Sequence, residues 1–300
     1  MSEAAMDKRT IDRKASNTAG YTCFSRACAT REKDERFRGP DYMAEIFLPV
    51  FAKGILNVPF LRKFFMKRMA PPGIYEYVLA RTRLIDDIFI DALKEGFPQI
   101  VLLGAGMDTR ALRFKSRNEG SKIFELDIAT TQQPKMEILN RKGVALPEEL
   151  VVVPIDFNRQ SLSEALFAAG YEGDQRCLFL WEGVTMYLTS DAVYSTLAFI
   201  HDSAAEGSKI VFDYIYGSVL RRENRFYGEK GIFERVSKAG EGWTFAVEEG
   251  EIEGFLSERG FKIISHYSPS DLEKAYLTAN DGAFLGRING THCIVIASVC

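Results

Sequence analysis

The sequence predicts an open, doubly wound α/β fold on three observations. From residue 98 onward, short β-rich runs alternate with helical segments. The runs are continuously apolar, as in Val101-Leu102-Leu103, Val151-Val152-Val153 and Leu178-Phe179-Leu180-Trp181. That pattern suits parallel strands covered by helices on both faces. The first run drops into Gly104-Ala105-Gly106, a strand-to-glycine turn of the kind that holds nucleotide-like ligands.

The elements follow in order. Up to about residue 75 the chain reads as helical. Tyr42 to Val50 and Phe60 to Met69 are rich in Phe, Leu, Ile and Met with charges between them, and Pro40, Pro49, Pro59 and Pro71-Pro72 favour breaks. Arg81 to Glu95 carries Leu84, Ile85, Ile88, Phe89, Ala92 and Leu93 at helical spacing, with Gly96 as a stop. The expected strands are Gln99–Leu103, Lys122–Leu126, Val151–Ile155, Cys177–Trp181, Ser208–Asp213, Phe261–Tyr267 and His292–Ser298. Thr109–Ser116, Thr130–Arg141, Ser161–Ala169 and Ser190–Ala204 are the helices between the early strands. Pro269–Phe284 joins the last two strands with a modest helical piece. An insertion from Tyr214 to Val247 carries Arg221, Arg222, Arg225, Phe226, Tyr227, Phe233 and Trp243. This divides the chain into a helical cap over 1–75 and an α/β ligand-binding domain over 76–300, with the insertion on the substrate side.

Bulk properties exclude several classes. The 300 residues are 46% hydrophobic, enough for a large core, and the formal net charge is −3. Such a balance argues against nucleic acid as a partner. Arg62, Lys63, Lys67 and Arg68 read as the solvated face of an amphipathic helix. Cys23, Cys28, Cys177, Cys293 and Cys300 fit no zinc spacing, and Cys177 and Cys293 sit in apolar runs as buried thiols. A reducing, cytoplasmic chain is expected. The opening MSEAAMDKRTIDRK lacks an apolar signal region, and no run approaches the roughly 18 apolar residues of a membrane span. No membrane partner and no metal are expected.

In open α/β sheets ligands bind beyond the carboxyl ends of the strands. After the first strand, Gly104 and Gly106 permit a tight turn, but Thr109 stands where a dinucleotide fingerprint has its third glycine. After the second strand, Asp127 suits ribose hydroxyls or a helix N-cap, with Glu125 deeper on the same side. After the third, Asp156 and Phe157 suit an adenine, the carboxylate accepting from the exocyclic amine and the ring stacking, or simply a turn. After the fourth, Glu182-Gly183 places a carboxylate at the centre of the cleft. It attracts an ammonium or sulfonium, groups that a nicotinamide dinucleotide lacks, or else pairs with an arginine such as Arg81.

Together these residues resemble the leucine carboxyl methyltransferase family, which includes the phosphatase carboxyl methyltransferases and tetracenomycin-type polyketide O-methyltransferases. The resemblance rests on ARTRLID at 80–86, VLLGAGMDTRALRF at 101–114, FELDIATTQQPK at 124–135, VPIDF at 153–157 and WEGVTMYLTSDAV at 181–193. A weaker match is TAGYTCFSRACATRE at 18–32. It implies a class I methyltransferase sheet, Rossmann-like and seven-stranded, with an N-terminal helical cap, and S-adenosyl-L-methionine as methyl donor. It implies that Arg81 binds the donor's carboxylate, that Gly104, Ala105 and Gly106 lie against its amino-acid end, and that Glu182 meets its amino group. By the same resemblance Asp127 holds the ribose, Asp156 and Phe157 flank the adenine, and Tyr187 lies where the acceptor approaches.

The expected activity is O-methylation of a carboxylate or hydroxyl on a small molecule or a protein C-terminus. His201, His266 and His292 follow the carboxyl end of no early strand and read as structural, which favours a carboxylate acceptor that needs no base. Tyr214, Arg221, Arg222 and Arg225 are candidates to orient an anionic substrate. The rival readings are an NAD-dependent oxidoreductase and a non-catalytic, cofactor-binding interaction protein.

Overall fold

The computed structural model describes residues 19–157, 159–232 and 242–300, with the side chains of Lys67 and Met69 excepted. Asn158, Phe233, the opening MSEAAMDKRTIDRK and Thr18 lie outside the described residues.

Seven strands form one sheet: β1 Gln99–Leu103, β2 Lys122–Asp127, β3 Leu150–Pro154, β4 Cys177–Trp181, β5 Lys209–Ile215, β6 Phe261–Tyr267 and β7 His292–Val299. Their order is β3-β2-β1-β4-β5-β7-β6. β1 to β5 are parallel, and β7 runs antiparallel between β5 and β6. The order reverses direction between β1 and β4, which is where such sheets open a ligand crevice.

The apolar runs form strands because both faces are buried. Val101 and Leu103 pack with Phe124, Leu126, Phe179 and Trp181 on one side. Ile100 and Leu102 pack with Ile123, Leu178 and Leu180 on the other. A separate cluster joins Cys23, Phe24, Ala27 and Cys28 of the helical residues 19–29 to Ala44, Leu48, Ala52, Leu56 and Met66. The thiols of Cys23, Cys28, Cys177 and Cys293 are free and buried, and that of Cys300 is exposed.

Three expectations are corrected. Tyr42–Val50 is not one helix: Ala44–Phe47 makes a 3-10 turn, and an α-helix starts only at Val50, after Pro49. The proline, with fixed φ and no N–H to satisfy, suits the residue at a helix start better than its interior. The helix before β1 spans Ile74–Lys94, so Arg81 lies in its interior rather than at its beginning. β5 continues to Ile215, which places Tyr214 in a strand and not in the insertion. The insertion returns to the sheet at the Tyr216–Val247 bridge. Among the described residues no helix is long and apolar enough to cross a membrane.

Candidate active site

The glycine turn after β1 is held by β2. The N–H groups of Gly104 and Ala105 both donate to Leu126 O at 2.8 Å. Gly104 adopts φ +76°, and a Cβ there would meet Val184 Cγ2 at 2.4 Å. The glycine is therefore required twice, by backbone conformation and by the close approach of the loop after β4.

Asp127, at the end of β2, is not a helix cap. The next helix, Ala129–Arg141, is led by Ile128 and has no side-chain cap. The Asp127 carboxylate instead accepts from Gly106 N–H at 2.6 Å and Ile128 N–H at 2.7 Å. Burial raises its pKa, against the opposing pull of those two N–H groups. Glu125 lies deeper and is spent on Lys135, 2.6 Å away, with both side chains buried. At the end of β3, Asp156 is ion-paired with Arg159 at 3.2 Å, and Phe157 is partly buried against the core.

Around the ends of β1, β4 and β5 lies a continuous buried chain of ion pairs that the spacing of residues did not reveal. Arg26 meets Asp41 at 3.3 Å, Asp41 meets Arg113 at 3.5 Å, and Arg113 meets Asp86 at 2.5 Å. Asp86 meets Arg110 at 2.8 Å, and Arg110 also holds Asp108 and, at 2.9 Å, Glu182. Glu182 meets Arg81 at 2.9 Å, and Arg81 meets Asp213 at 2.6 Å. Asp213 further accepts from Tyr77 Oη at 2.8 Å and Gly183 N–H at 2.6 Å. Asp108, Arg110 and Arg113 belong to the GMDTRALRF stretch, whose charges were the available signal. Asp213 ends an apolar run, where a lone acid signals a buried partner.

This chain contains five carboxylates (Asp41, Asp86, Asp108, Glu182, Asp213) and four guanidiniums (Arg26, Arg81, Arg110, Arg113), an excess of one negative charge. Its most open member is Glu182, whose side chain is 17% exposed while its partners Arg81 and Arg110 are 7% and 1% exposed. Burial alone favours the neutral acid of Glu182, but Arg110 and Arg81, with Arg26 behind them, outweigh it and lower its pKa. Asp108 is likewise buried, and Arg110, Lys135 and Arg26 bring it down to about 2. A buried anion with surplus negative charge behind it favours a cationic ligand group. S-adenosylmethionine, with an ammonium, a sulfonium and one carboxylate, fits this donor set; the doubly negative pyrophosphate of a dinucleotide does not. Among the described residues no cluster of His, Cys, Asp and Glu suits a metal.

Tyr187 lies in the 3-10 turn Thr185–Tyr187 after β4, its ring edge-on to Trp243 at 6.4 Å. Trp243 in turn meets the ring of His292 at 5.6 Å, and Tyr77 meets it from another side at 4.7 Å. Because β7 is antiparallel, His292 at its start pairs with Ile215 at the end of β5. The histidine therefore stands at the ligand edge of the sheet, although it follows the carboxyl end of no early strand. Burial, reinforced by Arg81 and opposed by Asp213, lowers its pKa from 6.5 to about 4. Between those values the unfolded chain binds a proton that the folded chain excludes, so stability falls as pH drops through that window. The expected loss is at most roughly 3 kcal/mol. Urea denaturation of wild type and His292→Gln at neutral pH and near pH 5 checks this: the wild type should lose more stability than the variant, and equal losses would refute it.

Three of the substrate candidates are engaged by other side chains. Tyr214 is buried, its hydroxyl 2.9 Å from His266 Nε2. Arg221 is paired with Glu223 and Glu248, and Arg225 with Glu249 at 3.1 Å. Arg222 is exposed at a left-handed backbone position.

Comparison with known proteins agrees with this geometry. The sequence pattern of the leucine carboxyl methyltransferase family matches residues 19–201. The chain is 32% identical over 243 residues to an inferred S-adenosyl-L-methionine-dependent methyltransferase of Frankia alni, covering 79% of each. It is 26% identical over 243 residues to another from Bacillus subtilis, covering 77% of this chain and 80% of that protein. Among solved structures, a DUF574 family protein of Streptomyces avermitilis superimposes with a TM-score of 0.59 at 13% identity, covering 87% of this chain and 95% of that one. An inferred methyltransferase of Thermobifida fusca gives 0.57 at 14% identity, covering 85% and 92%. These two likenesses bear on the fold alone. The chain belongs to the leucine carboxyl methyltransferase family and is an S-adenosylmethionine-dependent methyltransferase.

Proposed function

We propose that this enzyme methylates an oxygen of its acceptor, and that the acceptor is an ionised carboxylate on a small molecule or a protein C-terminus. The observation that carries the reading is the state of the acids at the site. Glu182 and Asp108 are held by arginines below the usual carboxylate range. Such anions are weak bases. A carboxylate acceptor reacts without losing a proton, whereas a hydroxyl must give one up.

When bound, S-adenosylmethionine supplies a methyl group on a sulfonium, which is already activated for in-line displacement. The protein's contribution is approach and alignment. In this reading Arg81 takes the carboxylate of the donor and Glu182 its ammonium. Their ion pair at 2.9 Å supports this, because it sets one positive and one negative group side by side, the complement of a zwitterion. Gly104, Ala105 and Gly106 lie against the same end. Asp127 holds the ribose, Asp156 and Phe157 flank the adenine, and Tyr187 approaches the acceptor. Among the described residues, 19–75 act as a cap, and the insertion over 216–232 and 242–247 borders the acceptor side. The pairing of Arg221 with Glu223 and Glu248, and of Arg225 with Glu249, weighs against the expectation that these arginines orient an anionic acceptor. Four buried free thiols suit a cytoplasmic enzyme.

One observation favours a hydroxyl acceptor instead: the His292 imidazole stands at the ligand edge beside Tyr77 and Trp243, although burial makes it a weak base. The two readings separate on the product. The enzyme is incubated with methyl-labelled S-adenosylmethionine and a panel of aliphatic and aromatic carboxylic acids and phenols. A label released as methanol by mild alkali marks a methyl ester and supports the carboxylate. A label stable to alkali, formed by wild type and lost in His292→Gln, overturns it in favour of the hydroxyl.

A further inference from the structure

The helices Val50–Asn57 and Pro59–Met69 turn their apolar residues the wrong way for a soluble surface. Their inner faces, through Ala52, Leu56 and Met66, join a single buried cluster. The two helices pack against each other, and their opposite faces point outward. There Val50 is 86% exposed, Phe51 73%, Phe60 75% and Phe64 50%, with Val58 and Leu61 also exposed. Phe60 and Phe64 stack at 6.5 Å, so they form one patch and not scattered residues. Single exposed apolar residues are ordinary, but a contiguous aromatic patch marks an interaction site.

Charge indicates the partner. From Ile46 to Tyr75 there is no acidic residue, while Lys53, Arg62, Lys63, Lys67 and Arg68 are all basic. The whole chain carries a net charge of −3, so this positive stretch is segregated from the rest. Arg62 is not part of a solvated face: it is buried and donates to the carbonyls of Leu56 and Arg31. Lys63 and Arg68 are exposed and Lys53 is half-buried at the rim. Exposed phenylalanines and leucine framed by lysines are the composition of helices that lie in a bilayer interface, the rings among the acyl chains and the ammonium groups among anionic headgroups.

We propose that this helix pair docks the enzyme on the surface of an anionic lipid bilayer, without spanning it. A protein partner built for the patch would need an acidic rim around an apolar groove, and a second copy of this chain presents the same positive charge and repels.

The test is flotation of the full-length enzyme with vesicles of phosphatidylcholine alone and of phosphatidylcholine mixed with phosphatidylglycerol. The expected result is flotation with the mixed vesicles, reversed by high salt, and little with the neutral ones. Phe60→Ser with Phe64→Ser should abolish it. Lys53→Gln with Lys63→Gln should weaken it ~10-fold or more. Phe60, Phe64 and Lys63 are exposed and Lys53 is half-buried, and circular dichroism melts should match wild type. Overturning results are no flotation, equal flotation on both vesicles, or flotation indifferent to the phenylalanine pair. A concentration-dependent dimer abolished by Phe60→Ser and Phe64→Ser, with no vesicle binding, would assign the patch to a second copy instead.

Discussion

Arg110→Met should destabilise the protein by roughly 3–5 kcal/mol, the range for removing one partner from a buried ionic group. Arg110 is almost fully buried and contacts three acids: Asp86 at 2.8 Å, Glu182 at 2.9 Å, and Asp108. The loss falls unequally among them. Asp86 retains Arg113 and Glu182 retains Arg81, but Asp108 has no other ion pair among the described residues. Only the backbone N–H of residue 110, at 2.6 Å, stays with it. The variant thus leaves a buried carboxylate with no ion-pair partner in contact and only the more distant Lys135 and Arg26 to offset it. The sign with pH follows. In wild type the Asp108 pKa is lowered to about 2, so its contribution is present above the unfolded value of 3.8 and disappears as pH falls through about 2. Without Arg110 the same carboxyl is hard to ionise, and protonating it relieves the penalty. The deficit of the variant should be largest near neutral pH and shrink in acid. Adding Asp108→Asn should restore part of it at neutral pH. Urea denaturation across pH, run as a double-mutant cycle, measures both. A deficit below about 1 kcal/mol, or one that Asp108→Asn leaves unchanged, would show that the ionic chain is not tightly coupled.

The second large effect is on the cofactor. Glu182→Gln keeps the shape and removes the charge that is the most open point of the ionic chain. A charge-assisted hydrogen bond contributes about 1.5–3 kcal/mol, so affinity for S-adenosylmethionine and S-adenosylhomocysteine should fall about 10- to 150-fold. Calorimetry on wild type and variant reads this directly, with NAD as a control that should bind neither. A melting curve of the unliganded variant separates lost affinity from lost fold, since Arg81 and Arg110 also lose a partner. Unchanged affinity in a folded variant would remove Glu182 from the cofactor site.

Local patterns carried much of the architecture. β1, β4 and β6 occupy the residues that the apolar runs indicated, and the other strands shift by one or two residues at their ends. For β1 and β4 the reason is that strands buried on both faces need uninterrupted apolar composition, whereas the edge strand β6 alternates buried and more exposed residues. The acids Asp127, Asp156 and Glu182 were legible for a related reason. In a parallel sheet the ligand edge is the carboxyl end of each strand, so chain order alone places them there. The misread element, Tyr42–Val50, has helical apolar spacing but lies between Pro40 and Pro49, and there the prolines prevailed.

What the sequence by itself determined is thus the sheet, its glycine turn and the acids at the strand ends, all features set within a few residues. The tertiary structure decided the rest. The ion pairs of Arg110 and Arg81 bridge 24, 72 and 132 positions, to Asp86, Glu182 and Asp213. No local composition says which arginine meets which acid, because Coulomb attraction depends on distance in space. The edge position of His292 was not legible because composition does not encode the direction of a strand. Only the antiparallel pairing of β7 with β5 carries it to the ligand edge, beside Tyr77 and Trp243.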